Sequence, residues 1–272
     1  MTWVVEAAEP LARGPQVLDW LTKDPVRNTA PATVLANRLD GTMPADGFWL
    51  AWLAGPGGDV AGAALRTPPR GILLPTLPSG AAAGLAEVTG PALPGASGPA
   101  EAVAEFVRAY ADRHGATARP TIRQRLFRLD RLVRPPGSGE LTVATDPALP
   151  VAWFDDFSRA VSQHVAADAA ATTARWVARG RVLFWQVGGA PVNMVCHSPT
   201  VAGVTRIGPV WTPPEYRRHG YAAAATAALA ARLARHGEVV LFADRFNRTA
   251  TGVYERIGFR PVGDWDDWGL EY

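Results

Sequence analysis

Val210-Trp211-Thr212-Pro213-Pro214-Glu215-Tyr216-Arg217-Arg218-His219-Gly220-Tyr221-Ala222 is the stretch that decides the fold. It predicts a strand running out into a proline-marked turn, a glycine-containing loop, and the first turn of an alanine-rich helix. The first amides of a helix have no intrahelical acceptors, and the helix dipole adds partial positive charge at the same point. A loop of this form gathers backbone N–H groups around a spot that suits phosphate. Arg217 and Arg218 add guanidinium groups, which pair well with phosphate oxygens.

Outward from this stretch, strands and helices alternate. Upstream, the sequence predicts a strand at Leu141–Thr145, a helix from Pro150 to His164 with Trp153, Phe154, Phe157 and Val161 on one stripe, and a helix at Ala166–Ala178. Strands follow at Arg181–Val187 and Pro191–His197, turned by Gly188-Gly189, and then at Val204–Trp211. Downstream, a helix from Ala222 to His236 is expected to stop at Gly237, with Arg232, Arg235 and His236 suited to the negative end of its dipole. Val239–Asp244 predicts a strand, Thr249–Ile257 a helix stopped by Gly258, and Phe259–Val262 with Trp265–Tyr272 a closing strand.

The first half carries similar signals. Strands are expected at Trp49–Ala54 and Val60–Leu65, turned by Gly55-Pro56-Gly57-Gly58, then at Gly71–Thr76, Leu93–Ser97 and Ile122–Leu132. Helices are expected at Ser79–Glu87 and Ala100–His114, the latter with Val103, Phe106, Val107 and Tyr110 on one face. At the place matching the second half's loop stands Leu77-Pro78-Ser79-Gly80, without Arg-x-x-Gly-x-Gly/Ala. A tandem pair with a degenerate first copy, or an unrelated α+β extension, both accommodate this order. Pro135-Pro136-Gly137-Ser138-Gly139 opposes helix and strand alike, which suggests domains at 1–135 and 141–272 joined by a linker at 136–140.

Bulk composition describes an ordinary globular protein. The 272 residues are 48% hydrophobic and 19% charged, with a net charge of +2 that gives no ground for nucleic acid as partner. Lys23 is the one lysine, so positive charge is almost all arginine; with abundant alanine, glycine and proline this suggests a bacterial coding sequence of high GC content. Cys196 stands alone and can form no internal disulfide. No signal-like segment opens the chain and no run of about eighteen apolar residues occurs, so a cytoplasmic protein without a membrane partner is expected. No metal-ligand spacing, no Gly-x-Ser-x-Gly and no P-loop Gly-Lys-Ser/Thr is present.

The pattern Arg217-x-x-Gly220-x-Ala222 resembles the acyl-CoA pyrophosphate loop of the GNAT superfamily of N-acyltransferases. Arg206–Val210 resembles the family's central strand, Val239–Asp244 its next strand, and Asn247 through Tyr254 to Val262 its last helix and strand. The resemblance implies a mixed α/β (α+β) fold: a mostly antiparallel sheet with splayed fourth and fifth strands, flanked by helices, here as a tandem pair. It implies an N-acetyltransferase that moves an acetyl group from acetyl-CoA to a primary amine, of a small molecule or a peptide, by direct transfer in a ternary complex. A non-catalytic acyl-CoA-binding or regulatory module of the same fold is the rival.

The same resemblance distributes roles. Arg218, His219, Gly220, Tyr221 and Ala222 would ring the pyrophosphate, with Arg217 adding charge or fixing the loop. The pantetheine arm would run along Val210, Trp211 and Thr212, with an N–H near Val210 stabilising the carbonyl oxygen. Tyr254 would be the general acid, and Asn247, seven residues earlier, would bond the cofactor or cap the helix. Many relatives carry a glutamate on the fourth strand; here Thr205 and Arg206 stand there, so Asp244, Asp155, Asp156 and His164 are candidate bases, beside a water chain or an amine that arrives already neutral. Cys196, in a buried strand, is expected to be structural.

Overall fold

The computed structural model describes residues 1–6, 11–43, 46–161 and 169–272. The chain divides into two compact units, and neither is contiguous in sequence. The first takes Met1–Leu126, Ala243–Asn247 and Pro261–Tyr272; the second takes Phe127–Phe242 and Arg248–Arg260.

Elements appear twice in the same order. The first half runs β1 (Thr2–Glu6), α1 (Gly14–Leu21), α2 (Thr29–Leu39), β2 (Trp49–Ala54), β3 (Val60–Arg66), β4 (Ile72–Leu73), α3 (Ala81–Val88), β5 (Gly95–Pro99), α4 (Ala100–His114) and β6 (Thr117–Leu129). The second runs β7 (Glu140–Val143), α5 (Ala148–Ala160), α6 (Ala169–Ala178), β8 (Val182–Val187), β9 (Ala190–His197), β10 (Val204–Trp211), α7 (Tyr221–Leu233), β11 (Glu238–Asp244), α8 (Arg248–Arg256) and β12 (Phe259–Glu271). Pairing repeats as well: β1–β2–β3–β4 and β7–β8–β9–β10 are antiparallel ladders, and β4–β5 and β10–β11 are the parallel steps. A repeated order of elements and of pairing senses makes the chain a tandem pair rather than one domain with an unrelated extension.

In the first unit, α4 places Val103, Phe106, Val107 and Tyr110 on one stripe, and all four are buried against Leu74, Leu85 and Ala96. Gly115 closes the helix in the left-handed region at φ +67°, where glycine carries no Cβ penalty. The strand expected over Gly71–Thr76 is only Ile72–Leu73, since Pro75 has no N–H for a ladder. β1, α1 and α2 were not anticipated from the sequence, although Pro15 near the start of α1 and buried Val17 and Leu21 mark that helix.

The expected division at 136–140 differs from the compact units. β12 pairs with β5 from Trp265↔Pro99 to Gly269↔Gly95, which draws the end of the chain into the first unit. Asp130 N donates to the Gly258 carbonyl and Val133 N to that of Ile257, which holds the segment after Leu126 in the second unit. Closing segments are thus exchanged between the two halves of the sequence.

In the second unit, Val182, Phe184, Met194, Cys196 and Trp211 share one face of the sheet and pack with Trp153 and Val177 of the helices α5 and α6. Strand residues alternate in direction, so Leu183, Val195 and Ile207 turn to the other face. α7 packs on β9 and β10 through Ala225, Ala227, Leu229 and Ala230, all buried. It ends at Leu233 with Ala234 as C-cap rather than at Gly237. Gly237 serves a close approach instead: a Cβ there would stand 2.0 Å from the Gly203 carbonyl oxygen.

Candidate functional site

β10 and β11 are paired in parallel only from Val204↔Glu238 to Ile207↔Leu241. Beyond Ile207, β10 keeps its antiparallel partner β9, with Val210↔Val195 and Trp211↔Met194 in register. Between those two stretches lies a bulge at Gly208-Pro209, and a bulge bends a strand and increases its twist. The strand therefore leaves one neighbour while following the other, and among the described residues its Gly208–Trp211 edge has no ladder partner on the β11 side.

From Trp211 the chain passes through a single 3-10 turn, Pro214–Tyr216, into Arg217–Gly220 and α7. Arg218 and Gly220 both adopt left-handed backbone, at φ +66° and +79°. Consecutive amides in such a turn converge on one point, a geometry that receives anions. Among the described residues, no backbone acceptor meets the amides of Arg218, His219, Gly220, Tyr221 or Ala222. A Cβ built on Gly220 meets nothing within 4 Å, so the amides open onto space. Loop, helix N-terminus and strand end are thus brought together.

Arg217 turns out to be a brace. Its Nε donates to the Thr212 carbonyl at 3.1 Å and its guanidinium carbon lies 5.0 Å from the centre of the Trp211 ring. His219 stacks on Tyr221 with ring centres 5.4 Å apart. Trp211 is buried in the aromatic cluster, edge-on to Phe157 at 6.3 Å, so its side chain belongs to the core while its backbone lies at the site.

Asn193 on β9 is a contributor that sequence reasoning missed. It is fully buried, and its Nδ2 donates at 2.8 Å both to the Trp211 carbonyl and to Thr212 Oγ1. It pins the end of β10 where the loop begins. One amide in the apolar run Val192-Asn193-Met194-Val195 was the available signal.

Tyr254 lies on α8, which packs beside α7, with its ring edge-on to Phe259 at 6.3 Å between centres. Burial pushes its hydroxyl up to about 12, because the phenolate would lose its hydration. Asn247 immediately precedes α8, donates its backbone N–H to the Asp244 carbonyl, and belongs with Asp244 to the first unit. Asp244 Oδ1 accepts the Phe246 amide, a turn-forming contact. Asp156 is tied to Arg159 at 2.6 Å on the exposed side of α5, and the Asp155 carbonyl accepts Arg159 Nε at 3.3 Å. His164 lies outside the described residues. Thr205 Oγ1 is hydrogen-bonded to Thr200 Oγ1 at 2.7 Å. Cys196 is fully buried, and burial raises its thiol far above the ordinary range, which leaves no thiolate to take an acyl group.

The first unit holds the same geometry in a closed form. Gly80 caps α3 with φ +81°, as Gly220 caps α7. Here the carboxylate of Glu105 accepts the amides of Ala83 at 2.8 Å and Gly80 at 3.3 Å. A side-chain anion of α4 occupies the helix N-terminus where the second unit leaves its amides free.

Among the described residues, no helix is long and apolar enough to cross a membrane, and no cluster of three or more His, Cys, Asp or Glu could hold a metal ion. Residues 148–259 match the model of the acetyltransferase (GNAT) family. No curated protein matches the sequence. An acetyltransferase of the GNAT family from Colwellia psychrerythraea is 11% identical at a TM-score of 0.60, with 99% of each chain covered. A GCN5-related N-acetyltransferase from Sphaerobacter thermophilus is 18% identical at 0.61, covering 98% of this chain and 95% of its own. A tandem GNAT protein from the clavulanic acid biosynthesis pathway is 14% identical at 0.60, covering 99% of this chain and 98% of its own. At such identities the likeness is one of fold.

Proposed function

We propose that the second unit, whose residues 148–259 match the GNAT acetyltransferase family model, transfers an acetyl group from acetyl-CoA to a primary amine, directly and in a ternary complex. The observation that carries this is the open cradle of unpartnered amides from Arg218 to Ala222, at the end of the strand that leaves β11. Its donors suit a pyrophosphate: free N–H groups, a helix N-terminus, and no Cβ at Gly220. When bound, acetyl-CoA supplies an acyl group activated as a thioester.

The chain's own residues supply the rest. The unpaired edge of β10 offers backbone groups to an extended, amide-rich arm, as a sheet edge does to a peptide. An N–H near Val210 is the candidate donor to the carbonyl oxygen as negative charge grows on it. In the transfer a C–N bond forms while the acyl C–S bond breaks; nitrogen loses a proton and sulfur gains one. Tyr254, raised to about 12, stays protonated at neutral pH and donates a hydrogen bond to the departing sulfur. Full proton transfer from a phenol that weak to a thiolate of ordinary basicity, about 8.5, is uphill, so its contribution is the hydrogen bond and the departing thiolate takes its proton from solvent. β10 carries no carboxylate, and the nitrogen's proton leaves through solvent.

Thiol release from acetyl-CoA, measured over a panel of small amines and short peptides, tests the proposal. Release that depends on the amine supports it. Calorimetric binding of acetyl-CoA with no release for any amine would favour the non-catalytic module instead.

A further inference from the structure

Arg206 sits on β10 where its backbone faces Ser198. Ser198 N donates to the Arg206 carbonyl at 2.9 Å, and His197↔Ile207 is the neighbouring registered pair. Ser198 lies two residues beyond Cys196, so Arg206 shares the face that carries Cys196, Met194 and Trp211, the face covered by α5 and α6. It stands one residue before the point where β10 and β11 part.

Its guanidinium differs from those of Arg125, Arg128, Arg159 and Arg245, which face carboxylates. Arg125 and Arg245 share Asp264 at 2.7 and 2.8 Å, Arg128 faces Glu238 at 3.8 Å, and Arg159 holds Asp156 at 2.6 Å. The Arg206 Nη1 is sealed from solvent and has no hydrogen-bond partner among the described residues, while the residue as a whole keeps a partly exposed surface. Burial alone lowers its pKa, to about 10, with no contribution from a carboxylate. A charged group with a buried, unpartnered donor is costly, and a ligand oxyanion there would offset that cost. Aromatic rings of Trp153, Phe154, Phe157 and Trp176 lie on the same side of the sheet and strengthen charge interactions by excluding water.

We infer that Arg206 receives an oxyanion of the acceptor, so that the preferred amine is one that also carries a carboxylate or a phosphate. The inference rests on the acetyltransferase reading above and narrows its substrate class. A guanidinium offers parallel N–H donors that match either group. On this view the arginine that stands in place of a strand carboxylate is a specificity determinant for acidic amines. It binds one end of the acceptor while the other end presents nitrogen to the thioester.

The test uses matched pairs of probes with purified full-length protein and acetyl-CoA. They are 4-aminobutyrate with its amide, β-alanine with its amide, L-phenylalanine with its amide, and O-phosphoethanolamine with ethanolamine. We expect the acidic member of at least one pair to show kcat/KM about tenfold or more above its neutral partner, and the Arg206→Met variant to lose that preference. The phosphate pair against the carboxylate pairs separates the two oxyanions. Acid and neutral partners within about threefold in every pair, or a preference that survives in Arg206→Met, overturns the inference. Thermal shift in the presence of desulfo-CoA reads binding without turnover. A stabilisation by acidic probes that is absent in Arg206→Met upholds the site even if no amine is acetylated, in which case only the enzymatic proposal fails. If Arg206→Met does not fold, the paired comparison in the wild-type protein decides.

Discussion

Glu105 accepts a hydrogen bond from the amide of Ala83 at 2.8 Å, filling the N-terminus of α3 with the protein's own carboxylate. The equivalent amides of α7 are left open. In the first unit the helix N-terminus is closed by a structural cap. The chain should therefore bind acetyl-CoA at one site, read as a calorimetric stoichiometry near one. Glu105→Gln should lower stability by roughly 0.5–2 kcal/mol through loss of a charged cap, with acetyl-CoA affinity unchanged. A stoichiometry of two would contradict the assignment.

Gly220 separates folding from binding. At φ +79° an alanine is strained by about 1 kcal/mol, but no atom stands within 4 Å of its Cβ. The new methyl group projects into the space where diphosphate is proposed to dock. Gly220→Ala is expected to raise KM for acetyl-CoA by tenfold or more, on the order of 1.4 kcal/mol or above, while unfolding shifts by only about 1 kcal/mol. Equal small losses in both measurements would show that the amides of this loop do not hold the cofactor.

For Tyr254, removal of the hydroxyl should lower kcat by about 10 to 100-fold and leave KM for acetyl-CoA within about twofold. The ring of Tyr254→Phe still packs on Phe259, so the fold is kept. Because burial lifts the hydroxyl to about 12, no ionisation of Tyr254 should appear in the rate profile between pH 6 and 10. An unchanged kcat in the variant removes the residue from the mechanism.

His197 makes stability depend on acid. Burial lowers its pKa, the Ser198 carbonyl opposes the shift, and the charges of Arg181 and Arg232 add to it. A folded-state pKa below the unfolded value of about 6.5 means that the unfolded chain binds the proton more tightly. Its contribution is therefore present above about pH 6.5 and is lost as pH falls from there through the folded value. Denaturant midpoints from pH 7.5 to 5 should decline, and the decline should be shallower in His197→Gln. Parallel curves for the two proteins would rule His197 out as the source.

Much of the second unit was readable because its signals are local. The bounds of β10 follow from an apolar run ending in Thr212-Pro213-Pro214, the β8–β9 turn from Gly188-Gly189, and the α7 start from Gly220 before a run of alanines. α4 was equally plain from Val103, Phe106, Val107 and Tyr110. What escaped depends on partners far away in sequence. β1 is a strand because it pairs with β2 nearly fifty residues on, and a two-residue strand such as β4 is held by β3 and β5 rather than by propensity. The exchange of closing segments could not be seen in Phe259–Glu271, whose alternation is the same whichever sheet it joins. At the site, the cradle was legible because glycine and a helix start write it into consecutive residues. Asn193 was not, because its role is set by a cross-strand neighbour, and Arg206 showed only as a departure from an expected glutamate.

Tyr110 Oη lies 3.0 Å from that of Tyr272, so the last residue of this sequence is stitched into a core laid down by α4. Synthesis meets these partners far apart in time. At elongation rates of about 5–20 residues per second, the ribosome spends on the order of ten seconds making the second unit before it delivers Pro261–Tyr272 to the first. Until then the nascent chain holds β5 with a vacant flank beside hydrophobic residues. Such an edge invites pairing with the wrong partner until the closing strand covers it.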